Sequence, residues 1–402
     1  MSDVKWIKNG SVTSPIGFRA AGISAGIKKS GRKDMALVVS DCDADGVATF
    51  TTNQIKAAPV KVSIQHIKGG IVRAAIFNSG NANACTGLQG IADAKAMAEE
   101  TARLLSIKPR QVLVCSTGRI GVPMPSDTVL RGIGKLVKKL AVDNGHNAAK
   151  AIMTTDTFPK EAAVTTTLLG KRIVIGAMAK GAGMIHPNMA TMLACVTTDA
   201  AVEHSALHKA LTESVDQTFN RISVDGDTST NDTVLLMANG LAGNTPLTTA
   251  HPDFAKFRAA LHDLLKKLAR MIVEDGEKIT RVVDLRICGA ASTQDARRIA
   301  EAIARSALIK SSWYGGDPNW GRLMDVAGYA GARIREELVD IYYDGVQAVK
   351  GGVASTTPLA KVKRVAAKPS FTIKIDLHLG RGDYSLLVND LTEAYVTFNK
   401  GE

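Results

Sequence analysis

Aromatic residues are scarce in this sequence. Only 4% of its 402 residues are Phe, Trp or Tyr, so the core must be built mainly from Ala, Val, Ile, Leu and Met. No aromatic residue interrupts the basic runs at residues 135–139 and 361–368. This pattern argues against a base-stacking nucleic-acid surface, although the net charge is +12. The basic runs instead fit a solvated surface or the attraction of small anionic substrates.

Cysteine pairs and long apolar segments are also lacking. The five cysteines are an odd number and include no CxxC pair, which favours reduced thiols over a disulfide framework. The N-terminus begins Met1-Ser2-Asp3 without an apolar signal core, and no segment is long and apolar enough to cross a bilayer. These absences predict a cytoplasmic protein that does not bind membranes or nucleic acid.

Short apolar runs alternate with segments of helical periodicity along the chain. Residues 91–105 place their apolar side chains on one stripe and are followed by Pro109, which predicts a helix. Bounding Gly, Asn and Asp residues predict that the short apolar runs are buried strands. The predicted strands are residues 36–40, 71–77, 111–115, 234–237 and 282–288, and the further helices are residues 204–219, 254–273 and 296–304.

Strict alternation marks residues 371–379, where Phe371, Ile373 and Ile375 alternate with polar residues. This pattern predicts a half-buried strand, and residues 380–383 supply a turn into a further strand at 384–388. Together these elements predict an α/β protein with a mixed sheet. Residues 351–358, rich in Gly, Ser and Thr, are the predicted flexible connector.

Residues 180–196 join a Gly-rich, Pro-containing loop to an apolar, strand-like run. Thr191 stands at the junction, after the small Ala190. A Thr hydroxyl is a poor nucleophile without a base. Cutting the bond between Ala190 and Thr191 would supply one, because an α-amine has a pKa of about 7.7–8.0 and accepts a proton near neutral pH. Taken alone, the local spacing favours the simpler interpretation that Thr191 only begins a strand.

The whole chain resembles the ornithine acetyltransferase family, also called the glutamate N-acetyltransferase or ArgJ family. The resemblance rests on an ordered set of blocks spread from one end to the other, none of which would suffice alone. The blocks are GFRAAGI (17–23), NSGNANACTG (78–87), STGRIG (116–121), MTTDT (153–157), KGAGMIHPNMATML (180–193), DGDTSTND (225–232), EDGE (274–277), DPNWGR (317–322) and DLTE (390–393).

This resemblance implies a fold and a maturation step. The fold is a layered α-β-β-α arrangement with mixed sheets, of the self-processing ArgJ/DmpA type, with a smaller C-terminal lobe. The chain would be a precursor that cuts itself between Ala190 and Thr191. The products would be an α chain, residues 1–190, and a β chain, residues 191–402, which share one core and assemble as an α2β2 heterotetramer.

The activity implied by the resemblance is a ping-pong acetyl transfer in arginine biosynthesis. Thr191 Oγ attacks the acetyl group of N-acetylornithine, the α-amine of the same residue takes the proton, and ornithine leaves behind an acetyl ester. Glutamate then takes the acetyl group to give N-acetylglutamate. The resemblance leaves open whether acetyl-CoA is a second acetyl donor, and it implies no cofactor and no metal.

The resemblance also implies roles for individual residues, according to their positions in the matching blocks. Thr117 and Gly118 match the oxyanion hole, where a preorganised donor lowers the barrier by about 3–4 kcal/mol. Lys180 can pair with a substrate carboxylate and Glu277 with a substrate ammonium. Without the resemblance, these would be an ordinary strand-ending turn and two surface charges. The implied substrate-binding residues are Thr154, Lys180, Thr191, Glu277 and Asn399.

The sequence departs from the family pattern in three places. Lys278-Ile279-Thr280 follows Glu277 where Gly-Ala-Thr is usual, so we expect a differently shaped loop. Residues 383–389 also differ. Asn399 matches the binding Asn of the family, but the usual residues beyond it, which end in a Ser or Thr substrate contact, are not found before Glu402.

Three other motifs are weaker. His204 and His208 have the i, i+4 spacing of metal ligands, but no third ligand is evident. His186 lies near Thr191 in sequence, yet an available α-amine makes it unnecessary as a base, so we expect a loop-shaping role. Residues 181–183, Gly-Ala-Gly, lack the helix start with Lys-Ser/Thr that a phosphate loop needs.

Two other functions compete with acetyl transfer. A self-processing aminopeptidase or amidase would use the same nucleophile but would let water resolve the acyl-enzyme. Thr154, Lys180 and Glu277 together favour recognition of charged amino acids instead. A binding protein that has lost processing is disfavoured by the intact cleavage junction and the intact Thr117–Gly118 pair.

Overall fold

The computed structural model describes residues 4–186 and 192–400 of the chain. Packing divides the chain into two compact units, each with its own β-sheet and apolar core. The first unit comprises Met1–Gly181, Pro187–Asn220 and Thr228–Ile272, and the second comprises Ala182–His186, Arg221–Asp227 and Val273–Glu402.

A nine-stranded mixed sheet forms the centre of the first unit. Its strands are β1 (Lys5–Trp6), β2 (Phe18–Ile23), β3 (Met35–Phe50), β4 (Ile71–Asn81), β5 (Val112–Arg119), β6 (Lys160–Leu168), β7 (Lys171–Lys180), β8 (Leu193–Thr198) and β9 (Thr233–Ala238). They lie in the order β1-β6-β7-β8-β9-β3-β4-β5, and β2 pairs with β3.

The middle of this sheet combines strands from distant parts of the sequence. Strand β8 pairs antiparallel with β7 and parallel with β9, and β9 pairs antiparallel with β3. In register, Leu193 lies opposite Lys180 on one side and Thr233 on the other. The two strands that follow residue 191 therefore lie between strands that precede it.

Helices cover both faces of the first sheet. The helices of the first unit are α1 (Ala58–Ile67), α2 (Gly87–Leu105), α3 (Ser126–Val137), α4 (Gly145–Ile152), α5 (His204–Gln217) and α6 (Asp253–Glu274), and the last two residues of α6 belong to the second unit. Leu37 and Val39 of β3 share a core with α1, α2 and α3, whereas Ala36 and Val38 share a core with α4. This alternation follows from the two-residue period of a strand.

The apolar stripe of α2 is buried as its spacing predicts: Ala94, Met97, Ala98 and Thr101 are all enclosed. The helix ends where Ser106 adopts a left-handed conformation at φ 56°. Its amide N–H bonds back to the carbonyl oxygens of the last turn, which satisfies acceptors that the helix itself leaves open.

A six-stranded sheet forms the centre of the second unit. Its strands are β10 (Val282–Ala290), β11 (Asp340–Tyr343), β12 (Val346–Lys350), β13 (Val353–Ala354), β14 (Ser370–Asp376) and β15 (Gly382–Asn389), in the order β13-β12-β11-β14-β10-β15. The helices of this unit are α7 (Thr293–Arg305), α8 (Ala307–Tyr314), α9 (Trp320–Tyr329), α10 (Leu359–Ala366) and α11 (Glu393–Asn399).

Polar caps begin several of these helices. The side chains of Ser292, Asn319 and Thr392 accept hydrogen bonds from backbone N–H groups in the first turns of α7, α9 and α11. Such caps satisfy donors that the first turn leaves open. Behind its cap, α7 buries Ile299 and Ile303 in the core that also contains β10 and β15.

The strands predicted at 371–379 and 384–388 form as β14 and β15, but they do not pair with each other. Strand β10 lies between them, parallel to β14 and antiparallel to β15. The connecting segment crosses the end of β10, where Leu377 N–H donates to Cys288 O and Leu379 N–H donates to Gly289 O. The turn at 380–383 therefore joins two strands across a third.

The α/β class with mixed sheets is confirmed, and the second unit is the smaller, C-terminal lobe. Every predicted strand and helix overlaps an observed element, although β3 runs ten residues beyond its predicted end. The predicted connector at 351–358 is partly structured, because it contains β13. Across the described residues, no helix combines the length and apolar composition needed to cross a bilayer.

Candidate functional site

The predicted site residues are divided between the two units. The first unit holds Thr117, Gly118, Thr154 and Lys180, and the second holds Glu277 and Asn399. Ala190 and Thr191, the predicted cleavage junction and nucleophile, lie outside the described residues. The surroundings of each group are described below within its own unit.

Thr117 and Gly118 lie near the end of β5, where the strand comes very close to β4. Gly118 has φ 132°, and a Cβ atom there would lie only 2.4 Å from Gly80 C and 2.5 Å from Asn81 N. No other residue fits both the conformation and the space. The backbone at position 118 is consequently locked in one conformation, which is the property that an oxyanion donor needs.

The peptide preceding Thr117 is fixed by a side chain from far along the sequence. The buried amide of Asn231 donates to Ser116 O at 2.8 Å and to Ala82 O at 2.6 Å. Asn231 lies just before β9, so it ties the end of β5 to the middle of the sheet. This bracing keeps the Thr117 backbone in place from a second side.

Thr154 follows α4 in a turn held by cations. Its N–H donates to Asp156 Oδ2 at 2.8 Å. Lys28 Nζ donates to Met153 O at 2.6 Å and to Lys33 O at 2.8 Å, joining this turn to the loop after β2. Burial, with the nearby charge of Arg32, lowers the pKa of Lys28 to about 8.

Lys180 belongs to a buried cluster of charges. Asp156 Oδ1 accepts from Lys160 Nζ at 2.7 Å and from Gly181 N at 2.8 Å, and all of these side chains are buried. Burial disfavours the charged carboxylate, but Lys180 and Lys160 outweigh it and hold the pKa of Asp156 well below its usual range. Lys180 and Lys160 thus both act on the buried carboxylate of Asp156, and Lys180 also acts on Asp232.

Glu277 lies in the second unit, after the end of α6. Its N–H donates to Ala182 O at 3.0 Å, and its Oε2 accepts from Asn399 Nδ2 at 3.1 Å. A Cβ atom on Gly183 would lie 2.5 Å from Glu277 Oε1. The glycine at 183 therefore makes room for a carboxylate.

The unusual Lys278 adopts a left-handed conformation, with φ 58°. Glycine takes this conformation without strain, whereas other residues rarely adopt it. Thr392 Oγ1 donates to Lys278 O at 2.8 Å, and Lys278 Nζ lies 5.1 Å from the centre of the Phe398 ring. The loop thus carries Lys at a position where Gly would be unstrained. Contacts with Thr392 and Phe398 hold Lys278 in this conformation.

His186 is a buried hydrogen-bonding group in the second unit. Arg305 Nε donates to His186 Nε2 at 3.0 Å, so the ring proton is on Nδ1, which lies 3.0 Å from Ser223 Oγ. The Ser223 hydroxyl in turn donates to Ile185 O at 3.1 Å. This network fixes the loop that leads to residue 187, in agreement with the loop-shaping role expected for His186.

The backbone just after the junction is held by Asp232, which precedes β9. Met192 N–H donates to Asp232 Oδ1 at 3.0 Å, and Thr233 N–H donates to Met192 O at 3.2 Å. Asp232 is 1% exposed. Burial raises its pKa well above the usual value, against the opposing effects of the Met192 N–H and of Lys180.

No cluster of three or more His, Cys, Asp or Glu side chains that could hold a metal ion is found in residues 4–186 and 192–400. His204 and His208 are both exposed on α5, and His204 Nδ1 lies 3.9 Å from Asp45 Oδ1. One carboxylate beside one exposed histidine falls short of the three or four ligands that a metal site needs.

Comparison with known proteins places the chain in a family. A sequence model of the ArgJ family matches residues 19–401. The chain belongs to the ArgJ family. It is 46% identical over 398 residues to the "Arginine biosynthesis bifunctional protein ArgJ" of Symbiobacterium thermophilum, covering 98% of this chain and 99% of that one. It is 40% identical over 400 residues to the protein of the same name from Bacillus cereus, covering 99% and 98%.

Two solved ArgJ-family structures are similar in sequence to about half of the chain. One is the Arginine biosynthesis bifunctional protein argJ from Bacillus halodurans, at 43% identity and TM-score 0.45. The other is the ornithine acetyltransferase complexed with ornithine from Mycobacterium tuberculosis, at 44% identity and TM-score 0.43. Each match covers 46% of this chain and 98% of the crystal chain.

Several residues near the predicted ArgJ-family site were missed by sequence reasoning. Asp156 and Asp232 lie inside the family blocks, but polar surroundings in sequence gave no sign that they are buried. Lys160, four residues after Asp156, could have been paired with it by helical spacing, yet it lies in a strand. Lys28 gave no signal, because its contacts at residues 33 and 153 depend on the folded chain.

Proposed function

We propose that this chain is an acetyltransferase of arginine biosynthesis that moves an acetyl group from N-acetylornithine to glutamate. The supporting observation is the match to the ArgJ family over residues 19–401, with relatives that align along nearly their whole length. In this proposal the chain cuts itself between Ala190 and Thr191. Thr191 Oγ then carries the acetyl group, and the α-amine of Thr191 is the base.

Thr117 and Gly118 are the proposed oxyanion hole for both half-reactions. Attack on the acetyl carbonyl, and later attack on the ester, each place negative charge on one oxygen. A backbone N–H stabilises that charge only if it does not have to reorient during the reaction. The close approach of Gly118 to β4, and the bonds from Asn231 to Ser116 and Ala82, support this role.

Charged groups account for recognition of the two amino acids. Lys180, which is buried near Asp156, is the proposed partner of a substrate carboxylate, with Thr154 in the adjoining turn. Glu277, bonded to Asn399, is the proposed partner of a substrate ammonium. Ornithine and glutamate both offer these two charges.

Further features of the proposal concern maturation and assembly. The α chain would be residues 1–190 and the β chain residues 191–402, assembled as an α2β2 heterotetramer in the cytoplasm. The reaction would need no cofactor. Because the curated relatives are named bifunctional, acetyl-CoA is the proposed second acetyl donor, for synthesis of N-acetylglutamate.

Intact mass spectrometry tests the central step. Incubation with N-acetylornithine alone should add one acetyl group to the fragment beginning at Thr191, and subsequent addition of glutamate should remove it as N-acetylglutamate. The Thr191→Ala chain should remain one band of full length on a denaturing gel and should take up no acetyl group. An uncut wild-type chain that transfers acetyl groups would contradict the mechanism.

The same experiment separates acetyl transfer from hydrolysis. An aminopeptidase or amidase would release free acetate from the ester at the same rate with and without glutamate. An acetyltransferase should yield N-acetylglutamate in proportion to the ornithine released. A second incubation with acetyl-CoA and glutamate checks the additional donor.

A further inference from the structure

The peptide group between Met153 and Thr154 is held at both ends by charged side chains. Its carbonyl oxygen, Met153 O, accepts a hydrogen bond from Lys28 Nζ at 2.6 Å. Its amide, Thr154 N–H, donates to Asp156 Oδ2 at 2.8 Å. Because a peptide group is planar and includes the next Cα atom, these two bonds also fix the direction in which the Cα atom of Thr154 lies.

Both of these side chains are charged at neutral pH. Burial opposes the charged form of Asp156, but Lys180 and Lys160 outweigh it and hold the pKa of Asp156 well below its usual range. Burial, with the charge of Arg32, lowers the pKa of Lys28 to about 8, which leaves its ammonium group mostly protonated at pH 7. A cation on the carbonyl oxygen and an anion on the N–H both match the dipole of the peptide group. Such charge-assisted hydrogen bonds are stronger than neutral ones.

The chain leaving helix α4 is fixed at two carbonyl oxygens. Met153 is the residue that ends α4. Ser79 Oγ donates to Ala151 O at 2.6 Å, and Lys28 supplies the donor for Met153 O. The last turn of a helix leaves such oxygens without partners inside the helix, and a cation is favoured there. The path from α4 to Thr154 therefore depends on Lys28.

The loop that carries Lys28 is itself held by a buried carboxylate. Asp34 is fully buried and accepts the N–H groups of residues 25–28 at 2.6–3.1 Å. Lys28 Nζ also donates to Lys33 O at 2.8 Å, across the same loop. Lys28 therefore reaches Met153 O from a fixed backbone.

The stem of the Lys28 side chain lies beside the strand that shapes the proposed oxyanion hole. A Cβ atom on Gly80, in β4, would be only 3.0 Å from Lys28 Cγ. A Cβ atom on Gly118 would in turn overlap the backbone of Gly80. One side chain thus connects the surroundings of the proposed oxyanion hole with the turn that carries Thr154.

We infer that Lys28 is a positioning residue for substrate binding, which orients Thr154 by holding the carbonyl oxygen of Met153. This inference rests on the proposed function, because Thr154 is a contact for N-acetylornithine and glutamate only in that proposal. The role needs no contact between Lys28 and the reacting atoms. A residue that acts through Thr154 strengthens binding of the substrate and of the transition state alike, so its loss should raise KM and leave kcat nearly unchanged.

The test variant is Lys28→Met, which keeps most of the stem beside Gly80 but removes the ammonium group. Initial rates of acetyl transfer are measured for the purified chains over a range of N-acetylornithine and glutamate concentrations. We expect KM for N-acetylornithine to rise by about tenfold or more, as for the loss of one charge-assisted hydrogen bond. We expect kcat to stay within about threefold of wild type. A role confined to stability would lower the amount of folded enzyme, and with it the apparent kcat, without changing KM.

Lys33, in the same loop, provides a matched control. Its Nζ donates to Gly22 O at 3.1 Å, on β2, and not to the turn at Thr154. Lys33→Met removes the same kind of cation and one hydrogen bond to a carbonyl oxygen, and it should keep KM within about threefold of wild type. An equal rise of KM in Lys33→Met and Lys28→Met would show that lost loop charge is the cause, and would overturn the inference.

Rescue by a cationic side chain completes the test. Lys28→Arg retains a charged donor, so its KM should lie close to that of wild type. If Lys28→Met does not fold, Lys28→Arg is compared with Lys28→Gln, which has a shorter and neutral donor. The KM of the Gln chain should be higher by about fivefold or more, and equal KM values would refute the role of Lys28.

Failure of this inference and failure of the proposed function give different results. A wild-type chain that transfers no acetyl group from N-acetylornithine would end the proposed function, and the role of Lys28 with it. An active wild-type chain whose KM is unchanged in Lys28→Met would overturn only the role of Lys28.

Discussion

At the scale of single residues, His186 makes the free energy of unfolding depend on pH. Burial, followed by the charges of Arg305, Arg297 and Lys310, lowers its pKa to about 3. An unfolded histidine takes up a proton below pH 6.5, whereas the folded one does not. The stabilising contribution of the neutral His186 is therefore complete above pH 6.5 and is lost progressively as the pH falls from there toward 3.

Replacing His186 should make the protein less sensitive to acid. Between pH 6.5 and 5 we expect wild type to lose about 2 kcal/mol more unfolding free energy than His186→Gln, because one extra proton binds only in the unfolded state. Urea unfolding curves at several pH values measure this difference. His208→Gln, which changes an exposed histidine on α5, should follow wild type. Parallel curves for wild type and His186→Gln would refute the assignment.

The role of His186 could be anticipated from the sequence, but its partners could not. The proximity of His186 to Thr191 suggested a loop-shaping role once an α-amine was available as the base. Arg305 lies 119 positions further along the chain, and nothing in the local sequence connects the two. Asp232 shows the same limit, since burial of a carboxyl group depends on the strands packed around it.

At the scale of elements, the close approach of β4 and β5 defines the backbone at Gly118. We expect Gly118→Ala to lower the unfolding free energy by more than about 2 kcal/mol, because its Cβ would overlap backbone atoms of Gly80 and Asn81. Acetyl transfer should fall by about 100-fold or more, as for loss of an oxyanion donor. Thermal melting and initial rates of N-acetylglutamate formation measure the two effects.

Gly121, three residues after Gly118, provides a control for the Gly118→Ala variant. Gly121 also has a positive φ, at 76°, but a Cβ there would meet nothing within 4 Å. Gly121→Ala should therefore cost only the conformational penalty, about 1–2 kcal/mol, and should leave acetyl transfer nearly unchanged. A Gly118→Ala protein with the wild-type transfer rate would remove Gly118 from the oxyanion hole.

Local pattern predicted many elements but not how they pair. Alternation at residues 371–379 correctly indicated β14, because one face of that strand is buried. The insertion of β10 between β14 and β15 could not be predicted, since β10 lies more than 80 residues earlier and its apolar run fits several neighbours. In the same way, the sequence indicated β9 without indicating that it lies between β8 and β3.

At the scale of the whole molecule, the first sheet contains strands from both sides of the proposed cut. Strands β8 and β9 occupy the positions between β7 and β3. After self-cleavage, residues 1–190 and 191–402 would remain joined by backbone hydrogen bonds along both edges of this pair. Many such bonds and the surrounding apolar core must be lost together for the products to separate.

The two fragments should stay together for as long as the first sheet remains folded. We expect both fragments to elute together in size-exclusion chromatography at every urea concentration that preserves the circular dichroism of the sheet. They should separate only in the range where that signal is lost. Elution of separate, folded fragments at low urea would show that the sheet does not hold the products together.

The position of β8 and β9 also determines how the protein can be made. A gene encoding residues 1–190 alone would produce two incomplete sheets, β1-β6-β7 and β5-β4-β3, each with a long unpaired edge. Exposed edges of this kind pair with other chains and aggregate. Splitting the gene at the cut should therefore yield insoluble halves. Synthesis as one polypeptide lets the sheet close before the covalent link is lost.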